Sequence, residues 1–417
     1  MKNNTSTALE RLQQLVPESP RQQSFWQQFS EMELPHVKHE DWKYTPVAPF
    51  YDQAFTAPVK EAGDPQTIEI INQLALKLDD AYRLIFINGQ FCVRYSDWIP
   101  KITVSQHGSE DALALPDSVN TEAMATLTEA ISNESVTIDV PARHVVDKPI
   151  YVINLNSGQQ GDISTLRVHV RLGQQAEACL VEHHVAQSDA QGVTLSRITF
   201  DCQDAAHLEH IKVIEQASHQ QHYAHNDMRA ARDANAKSTT LLLNAQIARH
   251  QTSSILTGNN GEVNMNSLAL PVEDKVFDTR TFLRHQSPHC QSYQLHKVIS
   301  NDKATGVFDG MIYVDVGAEK TDGQMDNHNL LLSDNASVNS KPKLEIYTDD
   351  VKCSHGATTG QLDKDQIFYL QARGIPKAQA EKIITFAFAA EVTETIGNDV
   401  IKSLLSQKVE QYLAEQL

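Results

Sequence analysis

Thr165-Leu166-Arg167-Val168-His169-Val170-Arg171-Leu172 alternates apolar and polar side chains without a break. Because successive side chains of a strand point to opposite faces, this predicts a β-strand with one face buried and the other solvated. Similar β-rich runs recur at Leu195 to Phe200, Leu208 to Ile214, Thr239 to Leu243, Phe277 to Leu283 and Val307 to Val314. Few windows between Val136 and Tyr347 hold helical periodicity. Strand centres stand roughly a dozen to sixteen residues apart, parted by turn-forming Asn, Gly, Asp and Ser, as in Gly258-Asn259-Asn260-Gly261, Asn301-Asp302-Lys303 and Ser333-Asp334-Asn335. That spacing fits a stacked β-solenoid or a large sandwich. Repetition without crossover helices favours the solenoid, in which each coil pairs its backbone with the next, although no strict short repeat marks the coils.

Helical patterns flank this zone. From Ser6 to about Met32, the residues Leu9, Leu12, Leu15, Val16, Phe25, Trp26 and Phe29 recur at three- and four-residue spacings, which predicts two short amphipathic helices parted by Pro17 and Pro20. A further helix is expected over roughly Pro65 to Asp80, and Arg83 to Val93 reads as a strand, turn, strand unit about Asn88-Gly89. Near the other end, Asp363 stands three residues before Gln366, a capped helix start, and Gly374-Ile375-Pro376 is a stop followed by a restart. The next helix, Lys377 to about Thr395, carries Ile383, Ile384, Phe386 and Phe388 and is apolar on nearly all sides; a last one spans Asp399 to Leu413. Helices this apolar need something to bury them.

The 417 residues can bury a substantial core without disulfides. With Lys+Arg 35 against Asp+Glu 53 the net charge is −18, which disfavours nucleic acid and anionic membrane surfaces as partners. Five scattered cysteines, Cys92, Cys179, Cys202, Cys290 and Cys353, form no CxxC pair and suit a reducing cytoplasm. The N-terminal segment lacks the apolar core of a secretory signal, and no stretch reaches the ~18 apolar residues of a membrane span. No phosphate loop GxxxxGK[ST], GxGxxG turn, GxSxG elbow or HExxH helix occurs, so nucleotide hydrolysis, hydride transfer and the commonest hydrolase chemistries have no local warrant. A carbohydrate-cleaving β-helix would need paired carboxylates or a basic residue in a cleft, and no local motif supplies them.

His219, His222 and His225 stand at three-residue intervals, a set that could gather round a metal on a helix and otherwise reads as a solvated corner loop. His183-His184 and the pair His207 and His210 read as solvent-facing ladder positions. Cys353-Ser354-His355 lies at the junction of the β-rich zone and the C-terminal helices. It offers a thiol and an imidazole, ligands that iron and sulfide accept, beside Gly356, which permits close backbone approach. The bland alternative is a buried cysteine and a turn histidine.

Four segments carry a resemblance. They are His39-Glu40-Asp41-Trp42-Lys43-Tyr44-Thr45-Pro46; Leu295-His296-Lys297 with Lys320-Thr321-Asp322-Gly323-Gln324-Met325 and Asn327-His328-Asn329-Leu330-Leu331; Lys341-Pro342-Lys343-Leu344-Glu345-Ile346-Tyr347 running into Asp350-Val351-Lys352-Cys353-Ser354-His355-Gly356-Ala357-Thr358; and Gln366-Ile367-Phe368-Tyr369-Leu370 with Arg373-Gly374-Ile375 and Phe386-Ala387-Phe388-Ala389-Ala390-Glu391. Over about residues 36 to 400 the chain resembles the SufB/SufD family of iron–sulfur cluster assembly scaffolds.

That resemblance implies a mainly β fold, a right-handed parallel β-helix core flanked by N-terminal and C-terminal helical domains. The divisions it suggests are 1–100, helical with a small β unit; 101–360, the β-helix; and 361–417, helical. It further implies a non-catalytic, cytoplasmic scaffold subunit of the SUF complex, paired with a SufB-like subunit through the β-helices and docking a SufC-like ABC ATPase by its C-terminal helices. ATP would act only through that partner, and the cargo would be a transient Fe–S cluster shared with the SufB-like chain. Carried onto this sequence, the cluster-related histidine and candidate iron ligand is His355, with Cys353 as its neighbouring thiol. The docking helices carry Phe368, Ile383, Ile384, Phe386 and Phe388. A flavin in the complex and a homodimer of the isolated chain are both compatible with the resemblance. SufB-like chains have a cysteine just after the Phe-Tyr pair of the next helix, where this chain has Leu370; sulfur is therefore expected to arrive on the partner. His285, His296 and His328 are expected to be structural.

Overall fold

A computed structural model describes residues 2–57, 65–109 and 118–416. At its base, β1 (Tyr82–Ile87) and β2 (Gln90–Phe91) form the expected hairpin at Asn88-Gly89, and β3 (Thr103–Gly108) pairs antiparallel with β4 (Glu134–Val140). On β1 stack the parallel strands β5 (Ile150–Asn156), β7 (Glu177–Ala186), β9 (His207–Glu215), β11 (Asn235–Asn244), β13 (Glu262–Ala269), β15 (Gln291–Ser300), β17 (Asp322–Leu331) and β19 (Lys352–Gly360). On β4 stack β6 (Ile163–Leu172), β8 (Gln191–Cys202), β10 (His219–Ala230), β12 (Ile247–Leu256), β14 (Val276–His285), β16 (Thr305–Val314) and β18 (Ser337–Ile346). Each coil thus gives one strand to each of two facing sheets, which is a parallel β-helix and not a sandwich. All six runs anticipated from the sequence fall inside these strands.

A repeat exists that composition hides. Non-glycine residues with positive φ occur at Arg143, Gln175, Ala205, Asp233, Asn260, His289 and Lys320, between 27 and 32 residues apart, one per coil at the same corner. The left-handed conformation is mildly costly for any L-residue. Here it recurs on seven different contexts with six polar side chains and one alanine, so the corner is set by the backbone pairing of neighbouring coils and not by residue type.

Both sheets are covered outside as well as packed inside. The helices α1 (Lys2–Gln13), α2 (Pro20–Glu31), α3 (Ala48–Tyr51) and, later in the chain, α5 (Ala123–Ile131) lie over the even-numbered sheet, where Leu12, Trp26, Phe29 and Leu127 meet Val193, Leu195, Tyr223 and Ile247. α4 (Pro65–Leu74), α7 (Lys377–Thr393) and α8 (Asp399–Gln416) cover the odd-numbered sheet, burying Ile211, Leu241, Leu268 and Ile299 against Ala389, Val392, Leu405 and Val409. This corrects the reading of β6: Val168 and Val170 face inward, but the outward Arg167 and His169 are buried too, Arg167 beneath α5, where it pairs with Glu129, and His169 bonded to Thr199 of β8. Alternation reports which way a side chain points, not whether water waits there.

The remaining helix, α6 (Lys364–Gln371), is capped by Asp363, which accepts from the Asp365 N–H at 2.8 Å and not through Gln366. Gly374 ends the turn with φ +85°, as expected of a helix stop. Among the described residues, no helix is long and apolar enough to cross a membrane.

Candidate site at the open end of the β-helix

Among the described residues, the coils end without a lid. β12 is buried along its whole length, whereas β18 and β19 are exposed or half-buried throughout, since no further coil stacks on them. The outer edges of both strands therefore present unpaired backbone groups to whatever approaches. β19 carries the two residues singled out from the sequence. In register, Cys353 lies over Gly323 and His355 over Met325. Met325 is fully buried with Phe308 and Ile312, so both residues point along the inward column. Cys353 is half-buried against that terminal cluster, while His355, one rung beyond the last core side chain, is exposed. A Cβ on Gly356 would come within 2.8 Å of Asp326 Oδ1 on the strand below, a side-chain atom that can turn aside.

Burial pushes the Cys353 thiol above its ordinary range, and it does the same to Cys92, Cys290, Cys179 and Cys202, the last two to about 12. Thiols so held carry little thiolate at neutral pH and are poor nucleophiles. Among the described residues, no group of three or more His, Cys, Asp or Glu is placed to hold a metal ion. Cys353 and His355 thus stand two residues apart on the edge strand, a thiol and an imidazole on the same inward column.

The other histidines are placed differently from the sequence reading. His219, His222 and His225 sit on β10, a strand and neither helix nor corner loop. With a period of two, three-residue spacing sends His222 inward and His219 and His225 outward, so they never converge. His222 is fully buried, and His225 is buried 3.3 Å from Asp227. His183, His184 and His210 are buried and not solvent-facing; of that group His207 alone is exposed.

Inside the helix, the Glu182 carboxylate lies 2.6 Å from His184 Nε2, 3.2 Å from His210 Nε2 and 2.6 Å from Lys212 Nζ. Burial opposes its charge, but Lys212 and the two imidazoles hold it well below the usual carboxylate range. Burial in turn lowers His184 to about 4, so the ring is neutral at physiological pH. This polar cluster escaped the sequence reading; counting strand parity through residues 182 to 226 would have found it. His285 and His296 are buried and bonded to Ser292 (2.9 Å) and Ser267 (2.8 Å), as structural residues should be.

The C-terminal helices divide the expected docking residues into two sets. Phe368 is 71% exposed and Ile383 40%, and Tyr369 beside them is open with Arg373 stacked on its ring at 3.6 Å. Ile384, Phe386 and Phe388 are half-buried, and the two phenylalanines pack against the apolar face of the odd-numbered sheet. The stretch at residues 39 to 46 works as a clip near the same end. Trp42 lies over the Arg249 guanidinium at 3.8 Å, Asp41 pairs with Arg280 at 2.6 Å, Thr45 donates to Asp278 at 2.6 Å, and Glu40 pairs with Lys341 of β18.

The fold is a parallel β-helix with a Cys/His pair on its exposed last strand and exposed apolar side chains on an attached helical unit. The family model "SUF system FeS cluster assembly, SufBD core domain" matches residues 153–388. The chain is 40% identical over 418 residues to the iron–sulfur cluster assembly protein SufD of Escherichia coli (strain K12), covering 98% of both chains. It is 27% identical to an iron–sulfur cluster assembly SufBD family protein of Synechocystis, over 91% of this chain and 87% of the relative. It is 30% identical to the chloroplastic protein ABCI7 of Arabidopsis thaliana, over 64% and 58% respectively. The chain belongs to the SufB/SufD family, on its SufD side.

Proposed function

We propose that this chain is a non-catalytic scaffold subunit of a cytoplasmic SUF complex. It pairs with a SufB-like subunit through the open end of the β-helix, docks a SufC-like ABC ATPase by its C-terminal helices, and supports ATP-dependent formation of new Fe–S clusters. The observation that carries this reading is the pair Cys353 and His355 on the outermost strand. Two donors on an unpaired edge suit a cluster whose remaining ligands come from a second chain, with the cluster as cargo and not as a resident cofactor. His355 is the iron ligand in this scheme, its exposed imidazole open to coordination from the edge of the sheet. With every thiol shifted upward by burial, sulfur is received by the partner.

Docking falls first to Phe368 and Ile383, the members of the expected set that water reaches. Phe386 and Phe388 act from beneath, fixing α7 on the sheet. The test is reconstitution with both partners. His355→Ala should leave the complex assembled and lower cluster formation, and full cluster formation by that variant refutes the role. Phe368→Glu should weaken retention of the ATPase without unfolding the chain.

A further inference from the structure

We propose that Lys297 is the contact through which movement of the C-terminal helices reaches the strand that carries His355. This rests on the reading above, in which a nucleotide-driven partner pulls on those helices.

Lys297 lies on β15 with its side chain 2% exposed. Lysine is seldom so buried unless paired. Its ammonium sits 2.7 Å from Glu391 Oε2 and 4.1 Å from the centre of the Phe388 ring, both on α7. The remaining buried contacts of α7 with the sheet, through Ala389 and Val392, are apolar. Apolar contacts are non-directional and tolerate sliding. An ion pair seated on a ring face does not: displacing α7 by one helical turn breaks both halves together. Among the described residues, Lys297 with Glu391 is the one ion pair between α7 and the β-helix.

What lies beyond Lys297 gives the contact its direction. In register, Lys297 is followed by His328 on β17 and Thr358 on β19. His328 Nδ1 and Thr358 Oγ1 are 2.9 Å apart. Thr358 is three residues past His355 on the same strand. An outward ladder therefore runs from α7 to the edge strand in two steps, each supported by parallel backbone pairing. α8 is anchored elsewhere, Lys408 gripping Glu215 of β9 at 2.7 Å, five strands from β19 in the same sheet. One helix is held near the middle of the sheet and the other beside its working edge. Lys297 is thus a positioning residue, acting on the edge strand without touching the cluster.

The experiment uses the full reconstituted complex with Lys297→Met, Lys297→Arg and Glu391→Gln. Partner retention, ATP hydrolysis, clusters formed per ATP, and amide exchange of residues 352–360 with and without a non-hydrolysable ATP analogue are measured. Lys297→Met should assemble and hydrolyse ATP normally but form about fivefold fewer clusters per ATP, with the nucleotide response of 352–360 lost; Lys297→Arg should restore both. Should the Met variant melt early, Glu391→Gln gives the same readouts from a change at the solvent-exposed partner, which keeps the lysine side chain in place. Cluster yield and exchange response unchanged in both Lys297→Met and Glu391→Gln would overturn the proposal. A wild-type complex that retains no ATPase, or whose 352–360 amides ignore nucleotide, overturns the underlying reading and this inference with it.

Discussion

Replacing Glu129 by Gln should loosen the N-terminal cover on the β-helix. The Glu129 side chain is fully buried on α5 and accepts from Arg167 Nε and Arg197 Nη1, each at 2.5 Å, while also pairing with Arg21. Burial alone would raise its pKa, but the three guanidiniums outweigh it and hold the carboxyl at about 2 against an ordinary 4.5. That difference corresponds to roughly 3 kcal/mol. It agrees with the ~3–5 kcal/mol expected when a buried pair loses one partner. Arg197 keeps Asp227 at 2.9 Å, so Arg167 is the charge left stranded. With an unfolding entropy of about 2.1 cal/mol/K per residue, a cooperative chain of this length should lose roughly 3–6 °C in melting temperature.

The sign with pH follows from the lowered folded pKa. The stabilisation is complete above the unfolded carboxyl value near 4.5 and is lost as pH falls through about 2. Urea denaturation of wild type and Glu129→Gln at about pH 7 and about pH 3 should therefore show a gap that narrows on acidification. Equal stability at the higher pH, or a gap that widens in acid, would refute the reasoning.

Gly89→Ala should destabilise the base of the solenoid by about 3 kcal/mol or more, because Gly89 has φ +80° and an added Cβ would lie 2.1 Å from the Thr165 carbonyl oxygen; a denaturation midpoint like that of wild type would show that the hairpin does not rest there. Replacing His219, His222 and His225 together should leave metal uptake by the isolated chain unchanged by elemental analysis, since strand parity keeps the rings apart. Loss of stoichiometric iron would instead revive a metal-storing role for that stretch.

The interior of the β-helix was legible where its strands alternate cleanly. β6 and β16 were recognisable from Thr165 and Val307 onward because their inward residues are apolar or glycine, and β14 was recognisable as a β-rich run from Phe277 although Thr279, Thr281 and His285 also face inward. β10 was not, because its inward side chains include Gln220, His222 and Asn226, and a strand with so polar a core face looks like a loop when read locally. His207 is exposed as read, while His183, His184 and His210 were misplaced for a related reason. Their burial comes from Glu182, Lys212 and α8, residues up to some two hundred positions away in the chain. The Cys353 and His355 pair was legible as a motif; that it stands on the last, unstacked coil was not.

The order of local conformations belonged to the sequence by itself: helices, then a long run of short strands, then Asp363, Gly374 and Pro376 punctuating three more helices, with no nucleotide loop and no metal knuckle. Local propensity and side-chain period are properties of neighbouring residues, so they can be read in line. Which faces stay wet was decided by the tertiary structure alone. α5 buries Arg167, α7 buries Lys297, and the absence of a further coil leaves His355 open, because burial depends on what the chain lays across a face after folding.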